Sequence, residues 1–160
     1  MAQQATRKYH PTRYYAGLSK TQKAKRYKEI QHFGKIDWRS PKAYTGFKTD
    51  KGVKTKTSSY TEQLTRKFKQ LGVDPNKTKS LKAKAKVTGV PLRYLKASYN
   101  RGLAAWRTGH RPGATPQQWG YARVASLLVC GKTAQGSDSD IVRDAKKSSK
   151  SARKWWSHCP

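Results

Sequence analysis

Acidic residues are scarce in this chain: 8 Asp and Glu stand against 36 Lys and Arg, a formal net charge of +28 over 160 residues. Self-repulsion of that size disfavours compaction unless something anionic neutralises it. The imbalance points to a polyanion. Nucleic acid supplies one naturally, through counterion release; an anionic membrane surface ranks second. Cysteine is nearly missing as well. Cys130 and Cys159 are too few for a multi-bridge scaffold, and they suggest free thiols in a reducing compartment, with a single bridge left open. No apolar run reaches the roughly 18 residues that a membrane span requires. The first residues carry cations but no apolar stretch, so no secretory signal is expected.

Motifs of catalysis are also wanting. There is no P-loop and no H-E-x-x-H, and His110, Cys130, His158 and Cys159 lack zinc-finger spacing. No catalytic residue, metal site or cofactor is therefore expected, and the chain reads as a non-enzyme. One acidic group gives a weaker alternative, a metal-dependent DNA-processing enzyme. Asp138-x-Asp140, with Asp144, has the residue types for a divalent cation, and Arg123 or Arg111 would hold a phosphate beside it. Such carboxylates at helix starts are mostly caps. Ser126 with His110 lacks an orienting carboxylate for nucleophilic chemistry.

The apolar fraction is 34% and the mean hydropathy is −0.99, so only part of the chain is expected to pack by itself. The stretch from Ser80 to Val129 carries the densest apolar patterning and the sharpest helix signals. Ser80 caps a helix over 81–87, Gly89 closes it, and Pro91 opens a second helix with Leu92, Leu95, Tyr99, Leu103 and Trp106 on one stripe up to Gly109. The pair resembles a helix-turn-helix, whose second helix would turn Arg93, Tyr94, Lys96, Ala97 and Asn100 outward; an ordinary helical hairpin is the simpler reading. Thr115, Pro116 and Gln118 form the clearest helix start in the chain. The helix that follows carries Trp119, Ala122, Ser126 and Val129 and is apolar nearly all round, so it is expected at the centre. Arg123 inside it needs an anionic partner, with Asp138 and Asp140 as candidates.

Around this centre the chain is cationic. Residues up to Leu18 mix Tyr with Arg and read as an extended arm. Ser19 and Gln22 make a capping box for a helix to about His32, ended by Gly34, and Ser59 and Glu62 make another for 60–71. The segment between mixes aromatic residues with Lys and reads as an irregular linker, with 53–57 a possible short strand. A last helix from Ser137 has Asp138, Asp140 and Asp144 near its start and Lys146, Lys147, Lys150, Arg153 and Lys154 near its end, as the macrodipole favours. It closes on Trp155 and Trp156. The expected fold is mainly α: a small helical domain, with a helix-turn-helix-like pair and a buried Trp-containing helix, carrying an extended basic N-terminal arm and a basic C-terminal helix. The corresponding boundaries are 1–58, 59–136 and 137–160.

The stretch from Arg101 to Ser126, RGLAAWRTGHRPGATPQQWGYARVAS, resembles an uncharacterised family of small basic proteins. These occur in large DNA viruses of algae and amoebae and in tailed phages of marine bacteria. Gly131-Lys132, Asp138-Ser139-Asp140 and the upstream Gly17 to Lys20 fit the same pattern. The resemblance implies a viral origin and a place in the virion, with the host cell interior as the site of assembly. It brings no established activity.

Together these readings give a virion protein that binds double-stranded DNA or another nucleic acid through phosphates, at or under the capsid. Capsid proteins are expected as partners, and a homo-oligomer within an assembly is open. The alternative is a minor capsid protein that interlocks shell subunits through its arms. The residues expected on nucleic acid are Arg7, Lys8, Arg13, Lys20, Lys23, Arg26, Arg93, Lys96, Arg101, Arg107, Arg111, Lys146, Lys147, Arg153 and Lys154. Trp106, Trp119 and Arg123 are expected in a structural or phosphate-holding role.

Overall fold

Serine and threonine caps start most of the helices, three of them at the expected residues Ser19, Ser80 and Thr115. In the computed structural model, which describes residues 10–37, 39–157 and 159, Ser19 accepts from the Gln22 amide at 3.3 Å to open α1, Lys20–Gly34. Ser58, not Ser59, caps α2, Ser59–Gln70. Ser80 caps α3, Leu81–Thr88, and Gly89 ends it with φ of 76°, a left-handed conformation that only glycine adopts without strain. Helix α4, Leu92–Trp106, stops short of the expected Gly109. The full capping box of Thr115 and Gln118 opens α5, Pro116–Leu128. The rest of the chain forms α6, Lys132–Gln135, α7, Ser139–Ser148, and α8, Lys150–Trp155. The single helix expected over this last stretch is broken at Ser149, whose side chain caps α8. Among the described residues there is no strand, so 53–57 is not one.

The chain divides into two compact units: residues 1–55 with 107–114, and residues 56–106 with 115–160. In the first, α1 buries Ile30 and Phe33 with Leu18, Ala43 and Phe47. Phe33 stacks on Phe47 at 4.7 Å, and Phe47 meets His110 edge-on at 4.6 Å. Arg26 is wholly buried here. Its guanidinium donates to Thr49 Oγ1 at 2.9 Å, to Asp50 Oδ1 at 2.7 Å and to the His110 carbonyl. Asp50 also meets His110 Nε2 at 2.6 Å and accepts from the Gly113 amide at 3.0 Å. Burial works against the Asp50 carboxylate, but the His110 hydrogen bond, the Arg26 charge and the Gly113 amide hold it below its usual range. The segment read as an irregular linker is thus folded around a buried ion pair and two phenylalanines.

In the second unit, α5 is the central helix, as its all-round apolar surface requires: Val124, Ala125, Leu127 and Leu128 are buried with Leu64, Phe68, Val90, Leu95, Ile141, Ala145, Ala152 and Trp156. Its closest neighbour is α4, and the two meet at paired glycines. A Cβ on Gly102 would lie 2.7 Å from Gly120 Cα, and one on Gly120 would lie 2.7 Å from the Tyr99 ring, so the backbones touch where no side chain fits. The C-terminal end closes over α5. Trp155 and Trp156 donate through Nε1 to the carbonyls of Leu128 at 2.8 Å and Leu127 at 3.1 Å. These groups would otherwise be orphaned at the helix end. Cys130 and Cys159, expected as free thiols, are joined in a disulfide with their Cα atoms 5.7 Å apart. The indole contacts bring the two cysteines together, which sequence spacing alone does not reveal.

Candidate nucleic-acid interface

The acidic residues decide which cations remain available. Asp138 is fully buried. Its Oδ2 accepts from Ser98 Oγ at 2.8 Å and from Arg123 Nε at 3.0 Å, while its Oδ1 accepts from Arg123 Nη2 at 2.8 Å and from Arg101 Nη1 at 2.9 Å. Arg101 also forks onto Asp140, at 2.9 and 2.8 Å. The Arg101 hydrogen bonds pull the Asp140 carboxyl down to about 2. Every oxygen of the pair once considered as metal ligands therefore already faces a guanidinium. Among the described residues no group of three or more His, Cys, Asp or Glu is placed to hold a metal ion.

Other acids are engaged too. Asp37 pairs with Arg39 at 3.0 Å, Asp144 with Arg143 at 3.3 Å, and Asp50 with Arg26. Glu29 accepts from the Lys48 amide and the Thr49 hydroxyl, each at 2.7 Å. The Asp74 side chain caps a short turn through the Asn76 amide.

Three of the expected phosphate ligands are engaged within the protein by this arrangement. Arg26 has no exposed surface, because its charge sits between Asp50 and a carbonyl. Arg101 is held by Asp138 and Asp140, and Arg107 donates to the Phe33 and Gly34 carbonyls at 3.3 and 2.9 Å, satisfying the end of α1. Arg123 takes the structural part of its expected role, paired to Asp138. Trp106 is buried and Trp119 partly so. Arg13, exposed, lies 5.1 Å from the Tyr14 ring centroid. Lys20, Lys23, Arg93, Lys96, Arg111, Lys147, Arg153 and Lys154 are exposed, and Lys146 is half-buried. Arg7 and Lys8 lie outside the described residues.

The helix-turn-helix reading holds only in part. The α3–turn–α4 order is present, but α4 packs against α3, α5 and α7. Of the side chains expected to face outward, Tyr94 and Ala97 pack against the core, and the Tyr94 hydroxyl lies 2.7 Å from Ser148 Oγ. Arg93, Lys96 and Asn100 stay exposed as a narrow stripe. No helix among the described residues is long and apolar enough to cross a membrane. The signals that sequence reading passed over were the exposed Lys82 and Lys86 of α3 and the buried Lys84 between them. Lys84 Nζ donates to the Thr78 and Lys79 carbonyls at 2.8 and 2.7 Å and sits 4.9 Å from the Tyr121 ring centroid. Burial pushes its pKa down to about 8.

Residues 11–147 match the profile of a family described as a family of unknown function, DUF5824. No curated protein and no solved structure matches the chain.

Proposed function

We propose that this chain, which belongs to the DUF5824 family, is a nucleic-acid-binding protein of a virus particle that neutralises phosphates with exposed lysines and arginines, largely without sequence preference. One observation carries the reading. Most of the few carboxylates are already engaged, on arginines or on backbone and hydroxyl donors, while nearly all described lysines remain at the surface without one. A net charge of +28 held outward in this way favours association with a polyanion and release of its counterions. The viral setting rests on the resemblance carried by the Arg101–Ser126 stretch. We assign no catalysis, because the Asp138 and Asp140 oxygens face guanidinium groups.

A role in which extended arms interlock shell subunits has less support. Residues of the expected arm fold into α1 and short turns around Arg26 and Asp50. The test of the proposal is binding of the full chain to a fluorescent DNA duplex across salt concentrations. With six to ten phosphate contacts, affinity is expected to fall by about 10³–10⁵ between roughly 50 and 200 mM salt. Binding that is absent, or flat over that range, rejects it.

A further inference from the structure

Several exposed cations of the second unit lie beside one junction of four helices. Helix α3 packs on α8, and α4 packs on α7, and two hydrogen bonds bring their ends together. Ser151 Oγ donates to the Gly89 carbonyl at 2.5 Å, and Arg93 Nη2 donates to Ser148 Oγ at 3.4 Å. The approach is tight: a Cβ on Gly89 would lie 2.6 Å from Ser151 Cβ. Lys86 stands one turn before Gly89, Lys147 and Lys150 flank the Ser148–Ser149 break, and Lys96 stands one turn after Arg93 on the exposed side. Arg153 folds back to donate to the Lys146 carbonyl at 2.6 Å. Six exposed cations, Lys86, Arg93, Lys96, Lys147, Lys150 and Arg153, thus border one seam of four helices. The acid nearest to it in sequence, Asp144, is itself paired with Arg143.

We propose that this seam is the phosphate-docking face for double-helical DNA, an assignment that rests on the nucleic-acid-binding reading above and gives it a place. The chemistry of the seam selects the duplex over other polyanions. A single strand is gripped by stacking its bases on exposed aromatic rings, but the aromatic side chain here, Tyr94, is turned onto Ser148 and packs against the core. A membrane surface takes an amphipathic helix with large apolar side chains facing outward. Among the described residues the exposed large hydrophobic is Leu71, on the loop after α2 and outside the seam. What the seam offers is charge alone, on helices whose other faces are locked into the Leu95–Ile141–Ala145–Ala152 core. The cations are thereby held on a rigid frame, as a regular phosphate array requires.

The experiment compares three full-length proteins on a DNA duplex, each over a range of salt: the unaltered chain, a seam variant (Lys86→Gln, Arg93→Gln, Lys96→Gln, Lys150→Gln) and a charge-matched control on other exposed positions of the same unit (Arg66→Gln, Lys69→Gln, Lys77→Gln, Lys79→Gln). All eight side chains are exposed, and thermal melting checks that both variants fold. Each phosphate contact contributes about 0.9 to the slope of log affinity against log salt, so the seam variant should lose about 3 to 4 from that slope, and the control less than about 1. Equal losses in the two variants, or a seam variant that binds like the unaltered chain, overturn the assignment while leaving nucleic-acid binding in place. No duplex binding by the unaltered chain overturns both. Anionic lipid vesicles serve as a second arm. Seam-dependent binding to vesicles that exceeds binding to the duplex also overturns the assignment.

Discussion

Replacing Asp138 with alanine should destabilise the second unit more than any other loss of a single charge. The carboxylate is fully buried and accepts from three side chains, Ser98, Arg101 and Arg123. Its removal leaves a buried hydroxyl without an acceptor, which costs about 1 kcal/mol or more. It also strands two guanidinium groups. Breaking a fully buried pair costs about 3–5 kcal/mol, but the two side chains here are 18% and 41% exposed, and Arg101 keeps Asp140, so water offsets part of that. The sum is about 3 kcal/mol, a large share of the roughly 5–15 kcal/mol that holds a domain folded. Urea unfolding followed by far-UV circular dichroism reads it as a drop in midpoint of about 1–2 M, for a slope near 2 kcal/mol/M. Asp140→Ala removes an exposed partner of the same Arg101 and should cost below about 1 kcal/mol. If Asp138→Ala costs no more than Asp140→Ala, the cluster is not the structural centre described here.

Three further outcomes follow from the same packing. Gly102→Ala should cost about 1–3 kcal/mol despite alanine's better helix propensity, because its Cβ would meet Gly120 Cα at 2.7 Å; a stabilised variant in thermal melting contradicts the close crossing. Reducing the Cys130–Cys159 bridge, which closes a loop of sequence separation 29, should lower the unfolding free energy by about 3–4 kcal/mol, and Cys159→Ser should match it; equal melting with and without reductant contradicts the bridge. The folded-state pKa of Lys84, pushed down to about 8 from 10.5, makes the unfolded chain bind more protons between those values, so stability should rise with pH across that window by on the order of 1–3 kcal/mol. Chemical unfolding of the unaltered chain and Lys84→Met at several pH values checks this, and parallel profiles count against it.

Local signals were readable, and non-local ones were not. The start of α5 follows from three neighbouring residues, and the structure shows both halves of its capping box. The need of Arg123 for a carboxylate follows from the apolar residues around it, and Asp138 answers it fifteen residues away. That Arg101 joins the same carboxylate depends on how α4 crosses α5, and no spacing within either helix encodes it. The crossing itself left a trace. Glycine inside a helix costs about 1 kcal/mol relative to alanine, so Gly102 and Gly120, both mid-helix, marked a close approach without saying to what. In the first unit, the loop 107–114 supplies His110 and Gly113 to an acid sixty or more residues earlier.

The fold treats its arginines and lysines differently. Arg26, Arg101, Arg107 and Arg123 all bind inside the fold, each to a carboxylate, a carbonyl or both. A planar guanidinium with five donors in a fixed fork suits such sites and is weakly hydrated. Lysine's compact, strongly hydrated charge does not, and apart from Lys67, Lys84 and Lys146 every described lysine is exposed. Lys84 is the instructive exception: with two carbonyls and a ring around it, burial still lowers its pKa. In a chain this basic with so few acids, the arginines compete first for the carboxylates. The charge left for a polyanion is therefore mostly lysine, a point charge that contacts phosphates without the bidentate geometry that reads bases. If the proposed function holds, weak sequence preference and steep salt dependence are expected from how the fold divides its cations.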